Sequence, residues 1–249
     1  MMHRGFWPGA VLLALAACSS APKQDANTPN AADIYVRKGV QYMEAGQFEF
    51  ALQDLQHAVE LDPKNPEAHN ALGVLFERLN RSAEAEQQYQ QALSLDSGNA
   101  NTLNNYGRFL CGKGQYEKAM GCFSKIIDSR LYGQPWIVLT NAGLCARSQG
   151  HRPEGEEFLR KALETNPTFA PALLEMARVS LDAGQYLSAR AFLQRYEAAG
   201  AMGADALWIG AQTEFALGNT EAATDYINSL RSRFPDSRET AQARRLSVQ

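Results

Sequence analysis

The chain is 249 residues long, with 24 basic and 27 acidic side chains, a formal net charge of −3 and 45% apolar residues. A charge balance this close to neutral excludes a global field that would gather nucleic acid, and the length suits one elongated or two compact domains. The four histidines, His3, His57, His69 and His151, are scattered, and no HxxxH, CxxC, GxSxG, GxxxxGK[ST] or HExxH pattern occurs. Neither a metal or cofactor site nor a small-molecule substrate site is therefore expected, and the chain is read as a non-enzyme.

The first element is an apolar run, Phe6 to Ala17, preceded by His3 and Arg4 and interrupted by Pro8 and Gly9. It is too short to span a bilayer, which needs roughly 20 apolar residues. Its order, a positive start, an apolar middle and small residues before a polar stretch, is that of a signal peptide. Leu15-Ala16-Ala17-Cys18 resembles the bacterial lipobox, in which a peptidase cuts just before a cysteine whose thiol carries diacylglycerol. An ordinary secretory signal with an incidental cysteine is the plainer alternative. Residues 1–17 are thus expected to be removed, leaving Cys18 with covalent diacylglycerol and fatty acyl chains as the anchor. By analogy with enteric bacteria, Ser19 after that cysteine favours the periplasmic face of the outer membrane. Residues 18–31 have almost no apolar content and should form a flexible tether spanning roughly 20 Å. Loss of Arg4 takes the net charge to −4. With Cys18 lipidated, Cys111, Cys122 and Cys145 remain, and an odd number in an oxidising compartment suggests one bridge and one buried thiol.

From Ala32 onward the chain repeats with a period of about 34 residues, the mark of a helical solenoid. Units begin at Ala32, Pro66, Ala100, Trp136, Ala170 and Ala204. The eighth residue of each is Gly39, Gly73, Gly107, Gly143, Ala177 or Ala211, and the twentieth is Ala51, Ala85, Ala119, Gly155, Ala189 or Ala223. All twelve are Gly or Ala, which together make up less than a quarter of the chain. Such positions fall where two helices of a hairpin cross, and a larger side chain would force them apart. The fifteenth residue is Gly46, Asn80, Gly114, Gly150, Gly184 or Gly218, where the first helix should end in a left-handed residue. Tyr42, Phe76 and Leu110 in first helices, and Leu55, Tyr89, Phe123, Leu159 and Leu193 in second helices, fill the gaps at helical period. Pro63, Pro167 and Pro235 close second helices.

This pattern resembles the tetratricopeptide repeat over residues 32–237. It implies an all-α, right-handed superhelix of six helix hairpins, with residues 238–249 as a C-terminal capping helix. Residues two, five, nine and twelve of each unit face the concave wall. They include Val36, Asn70, Asn104, Arg108, Arg147, Leu174 and Arg178, a mixture suited to a peptide segment or helix of a protein partner. A wall that clamps a C-terminal carboxylate would be rich in lysine, and this one is not. Trp208 and Phe215 also fall on that register, and burial beneath the C-terminal helix is the preferred reading for both.

Three stretches are more specific: "LNNYGRFLC" (Leu103 to Cys111), "NAGLCA" (Asn141 to Ala146) and "LEMA" (Leu174 to Ala177). With the lipobox, the six units and a two-residue expansion at "SRLYGQPW", they resemble the type IV pilus biogenesis lipoproteins of the PilF/PilW family. The resemblance implies a pilotin: a lipid-anchored, non-enzymatic adaptor that binds secretin subunits and supports their outer-membrane localisation and multimerisation. A repeat lipoprotein serving β-barrel assembly, or regulating peptidoglycan enzymes, is the alternative. Departures are Asn80 for Gly, and Tyr196 and Leu230 where second helices usually carry Ala. The family pattern also bears on the cysteines. Cys111 and Cys145 lie on neighbouring first helices, whose packing distance allows the Cα separation a disulfide needs; Cys122, on a second helix, is read as a small buried filler.

Overall fold

The structure, a computed structural model, describes residues 30–129, 132–200 and 202–246. The signal segment, Cys18 and the tether as far as residue 29 lie outside them. Thirteen helices occur among the described residues, as six hairpins and a closing helix. The first helices are α1 Ala31–Glu44, α3 Pro66–Arg78, α5 Ala100–Gly112, α7 Pro135–Ser148, α9 Ala170–Asp182 and α11 Ala204–Ala216. Their partners are α2 Phe48–Leu61, α4 Ser82–Leu95, α6 Tyr116–Ser129, α8 Arg152–Thr165, α10 Tyr186–Ala199 and α12 Thr220–Arg233, and α13 is Arg238–Leu246. Each first helix packs on its partner, and each hairpin on the next, in a right-handed all-α solenoid.

Local chemistry sets the helix boundaries. Asn65 and Asn99 cap α3 and α5, their side-chain oxygens accepting from the backbone N–H of Ala68 and Thr102, each at 3.0 Å, which satisfies donors that the first turn leaves open. Asn30 forms a capping box with Asp33. That cap starts α1 at Ala31, so the last residue assigned to the tether is helical. All six residues at position fifteen have positive φ, from 58° at Asn80 to 92° at Gly150. Asn80 is the sole non-glycine with positive φ among the described residues; its short polar side chain tolerates that conformation.

The crossing positions are as tight as their composition demands. A Cβ on Gly73 would lie 2.7 Å from the ring of Tyr89, and one on Gly107 2.6 Å from that of Phe123. Both rings are fully buried. The sixth hairpin departs from the register: its bulky crossing ring is Tyr226 instead of Ile227, and Gly210, one residue before Ala211, makes room for it, with a Cβ there 2.9 Å from that ring. Ala211 is fully buried nonetheless.

The capping helix begins at Arg238, one full repeat length after the start of α11, and so takes the place of a seventh first helix. Its Thr240 donates to the carbonyl oxygens of Phe234 and Leu230, at 2.7 and 3.3 Å. Leu230 is fully buried in a cluster that includes Ala243, and Tyr196 packs half-buried against the same cluster. The larger side chains at these two positions thus belong to the core of the last hairpins. Trp208 is half-buried against this cluster. Phe215 is 44% exposed, so the expected burial under α13 does not hold for it: among the described residues α13 packs on α11 and α12 and leaves the last turn of α11 open.

Candidate partner-binding groove

Positions five and nine of the first helices line one wall. Val36, Asn70, Asn104 and Leu174 are half-buried on it, and Arg108 is exposed. Successive helices are linked there by side-chain amides. Asn105 Nδ2 donates to Asn70 Oδ1 at 3.1 Å, and Asn141 Nδ2 donates to Asn104 Oδ1 at 2.8 Å. These bonds leave the N–H groups of Asn70 and Asn104, and the carbonyls of Asn105 and Asn141, without a partner among the described residues. A row of unused amide donors and acceptors can pair with both edges of an extended backbone. Asn105 and Asn141 occupy position six, which the sequence register did not assign to the wall; the adjacent pair Asn104-Asn105 was the available signal.

The three groove arginines fall into two groups. Arg147, with its side chain 15% exposed, donates to Glu175 and to Asp182, each at 3.0 Å. Arg178 sits 3.6 Å from Glu175 and 3.7 Å from Asp205. Arg147, Glu175, Arg178 and Asp205 thus form a chain of alternating charge across α7, α9 and α11, whose positive members are already neutralised within the protein. Arg108 makes no ion pair among the described residues. Sequence periodicity placed all three on one wall but carried no information on which charges the neighbouring helix supplies.

Arg108 opens onto a cleft of about 490 Å³ lined by Asn141, Leu144, Ser148, Gln149 and the pair Cys111 and Cys145. These two cysteines are joined in a disulfide, with Cα atoms 5.7 Å apart, linking α5 to α7. Leu144 is 37% exposed beside them. Cys122 is a free, half-buried thiol whose pKa burial pushes up, which disfavours its reactive thiolate. Glu77, at position twelve, serves the core: it accepts from the Tyr89 hydroxyl at 3.1 Å. Burial, reinforced by that carboxylate, holds the Tyr89 phenol far above its ordinary pKa. The middle of the groove therefore combines one uncompensated cation, an exposed leucine and open amides, a surface for holding a polypeptide segment. Among the described residues no group of three or more potential ligands could hold a metal ion, and no helix is long and apolar enough to cross a membrane.

Six stacked hairpins with small residues at each crossing and a left-handed residue at each turn define a tetratricopeptide-repeat scaffold. Tetratricopeptide-repeat family patterns match residues 39–80, 66–99, 88–120, 146–208 and 205–237. Over 217 residues the chain is 30% identical to the type IV pilus assembly protein PilF of Pseudomonas aeruginosa, covering 87% of this chain and 86% of that protein. The crystal structure of PilW, a widely conserved type IV pilus biogenesis factor, matches with a TM-score of 0.78 at 31% identity, over 87% of this chain and 99% of that one. The Pseudomonas aeruginosa PilF structure matches with a TM-score of 0.74 at 30% identity, over 86% and 96% of the two chains. The chain belongs to the PilF/PilW family of type IV pilus biogenesis proteins.

Proposed function

We propose that the protein is an outer-membrane lipoprotein adaptor, a pilotin, which binds secretin subunits and supports their localisation and multimerisation during type IV pilus biogenesis. Membership of the pilus family supports the process. The groove supports the mode of action: its open amide row, Arg108 and Leu144 suit the capture of an extended segment of a partner subunit, and the adaptor acts by holding that segment, without chemistry of its own. Acylated Cys18, on the periplasmic face of the outer membrane, would keep the captured subunit at the membrane where the pore assembles.

Three experiments test this. Deletion of the gene should leave secretin monomeric or in the wrong membrane, and Cys18→Ala should mislocalise the adaptor in sucrose-gradient fractions. Normal secretin multimers in the outer membrane of the deletion strain would refute the proposal, and recovery of barrel-assembly or peptidoglycan-enzyme subunits without secretin would favour a different partner. For the groove, Arg108→Glu and Leu144→Asp should each weaken secretin binding about tenfold, equivalent to ~1.4 kcal/mol. Both side chains project outside the core, so the helical circular dichroism of the variants should be unchanged. Unaltered affinity in both would move the contact surface away from this cleft.

A further inference from the structure

Among the described residues, position three of each unit separates a covered solenoid end from an uncovered one. Ala68, Thr102, Val138, Ala172 and Ala206 occupy it in units two to six, and Thr240 in the closing helix. All six are 0% exposed, on first helices that stack against the hairpin before them. The equivalent residue in unit one is Ile34, larger than any of them and 46% exposed. Leu61, the last residue of α2, is 47% exposed. Both lie at the end of the hairpin where the chain enters from Asn30: the ring of Tyr35, adjacent to Ile34, is 4.5 Å from that of His57, one turn before Leu61.

This edge carries charges of both signs. Arg37, one turn after Ile34, and Lys64, in the loop after Leu61, are exposed and make no ion pair among the described residues. The neighbouring acids keep their charge but are hydrogen-bonded within the chain and pair with neither cation. Asp33 accepts from the Asn30 backbone N–H and, at 2.9 Å, from Asn65 Nδ2. Glu60 lies 3.1 Å from His57 Nδ1, and Asp62 accepts from the Lys64 backbone N–H at 3.0 Å. Residues 19–29 contain no large apolar side chain that could cover the edge.

We infer that this edge rests on the membrane, with Ile34 and Leu61 at the boundary between headgroups and acyl chains and Arg37 and Lys64 on lipid phosphates. Apolar burial combined with cation–phosphate attraction is how interfacial segments bind. The length of chain identifies the occupant: eleven residues lie between Cys18 and Asn30, a length that reaches at most about 40 Å even when fully extended. This rests on the reading that Cys18 is acylated, which holds the bilayer nearest to this edge. The far end of the solenoid is closed by α13.

The test reconstitutes the chain extracted from its own membranes into vesicles of phosphatidylethanolamine and phosphatidylglycerol. Mass spectrometry of the N-terminal peptide records acylation of Cys18 separately. Where no lipid is found, an N-terminal histidine tag on a nickel-chelating lipid holds the chain in place, so the edge is read in either case. Amide hydrogen exchange across residues 31–37 and 59–64 should slow about threefold or more on vesicles relative to detergent. Arg37→Glu with Lys64→Glu, and separately Ile34→Asn with Leu61→Asn, should remove that slowing while exchange in α3 to α12 stays unchanged. Exchange at the edge that is equal on vesicles and in detergent overturns the inference. So does slowing that survives both pairs of substitutions, or that grows with the protein-to-lipid ratio, which would indicate a second copy on the edge.

Discussion

Replacing Cys111 and Cys145 together by alanine should lower the stability of the solenoid by about 3–4 kcal/mol, the loop-closure entropy that a bridge closing a loop of this size removes from the unfolded chain. The bridge spans 34 residues and joins the first helices of units three and four. Those units flank the two-residue expansion, where the repeat pattern is interrupted. The bridge also forms part of the floor of the Arg108 cleft, so its loss should raise the mobility of the surface proposed to hold the partner. The measurement is urea unfolding of the oxidised wild type against the double variant, with thiols counted beforehand. A repeat array need not unfold in one step, so hydrogen exchange in α5 and α7 should accompany it. A change below about 1 kcal/mol would mean that inter-repeat packing alone holds this junction.

Gly155→Leu should destabilise by about 3 kcal/mol or more, at the upper end of overpacking effects. A Cβ at Gly155 would lie 2.7 Å from the backbone oxygen of Gly143 and 2.5 Å from Arg147 Cγ. A carbonyl on the facing helix cannot move aside as a side chain tip can, so α7 and α8 must separate. Even Gly155→Ala should destabilise, against the helix propensity of about 1 kcal/mol that favours alanine. Gly121, in α6, supplies the opposite sign: a Cβ there meets nothing within 4 Å, and Gly121→Ala should stabilise by roughly 0.5–1 kcal/mol. Thermal or urea unfolding of the three variants decides the matter. Equal effects at Gly155 and Gly121 would show that backbone propensity, not helix crossing, governs both sites.

The solenoid was legible because its constraints recur in every unit. A crossing position admits only Gly or Ala, and a left-handed turn admits Gly or Asn, so six copies of each made the pattern plain without reference to long-range contacts. Asn30 at the start of α1 was harder to read, because a single cap has no repeat to reinforce it. The shift at Gly210 and Tyr226 was not legible either. Ala211 satisfies the small-residue rule at its own position, and only the packed hairpin reveals that the close approach falls one residue earlier.

Within the groove, the wall positions of Val36, Asn70, Asn104, Arg108, Arg147, Leu174 and Arg178 followed from helical period alone. What distinguishes them did not. Arg147 and Arg178 are bonded to Glu175, Asp182 and Asp205 on adjacent helices, whereas Arg108 meets no such acid among the described residues. Asn105 and Asn141 become part of the wall because each reaches back to an asparagine on the preceding first helix. The amino-acid sequence by itself determined the helices, their turns, the repeat and the face each residue presents, because those depend on steric and conformational rules acting within a single repeat unit. Only the tertiary structure decided which groove charges are neutralised, which amides remain open and which end of the stack is left uncovered. Those properties depend on what a neighbouring hairpin places within a few ångströms, and the period of one hairpin does not encode its neighbour's side chains.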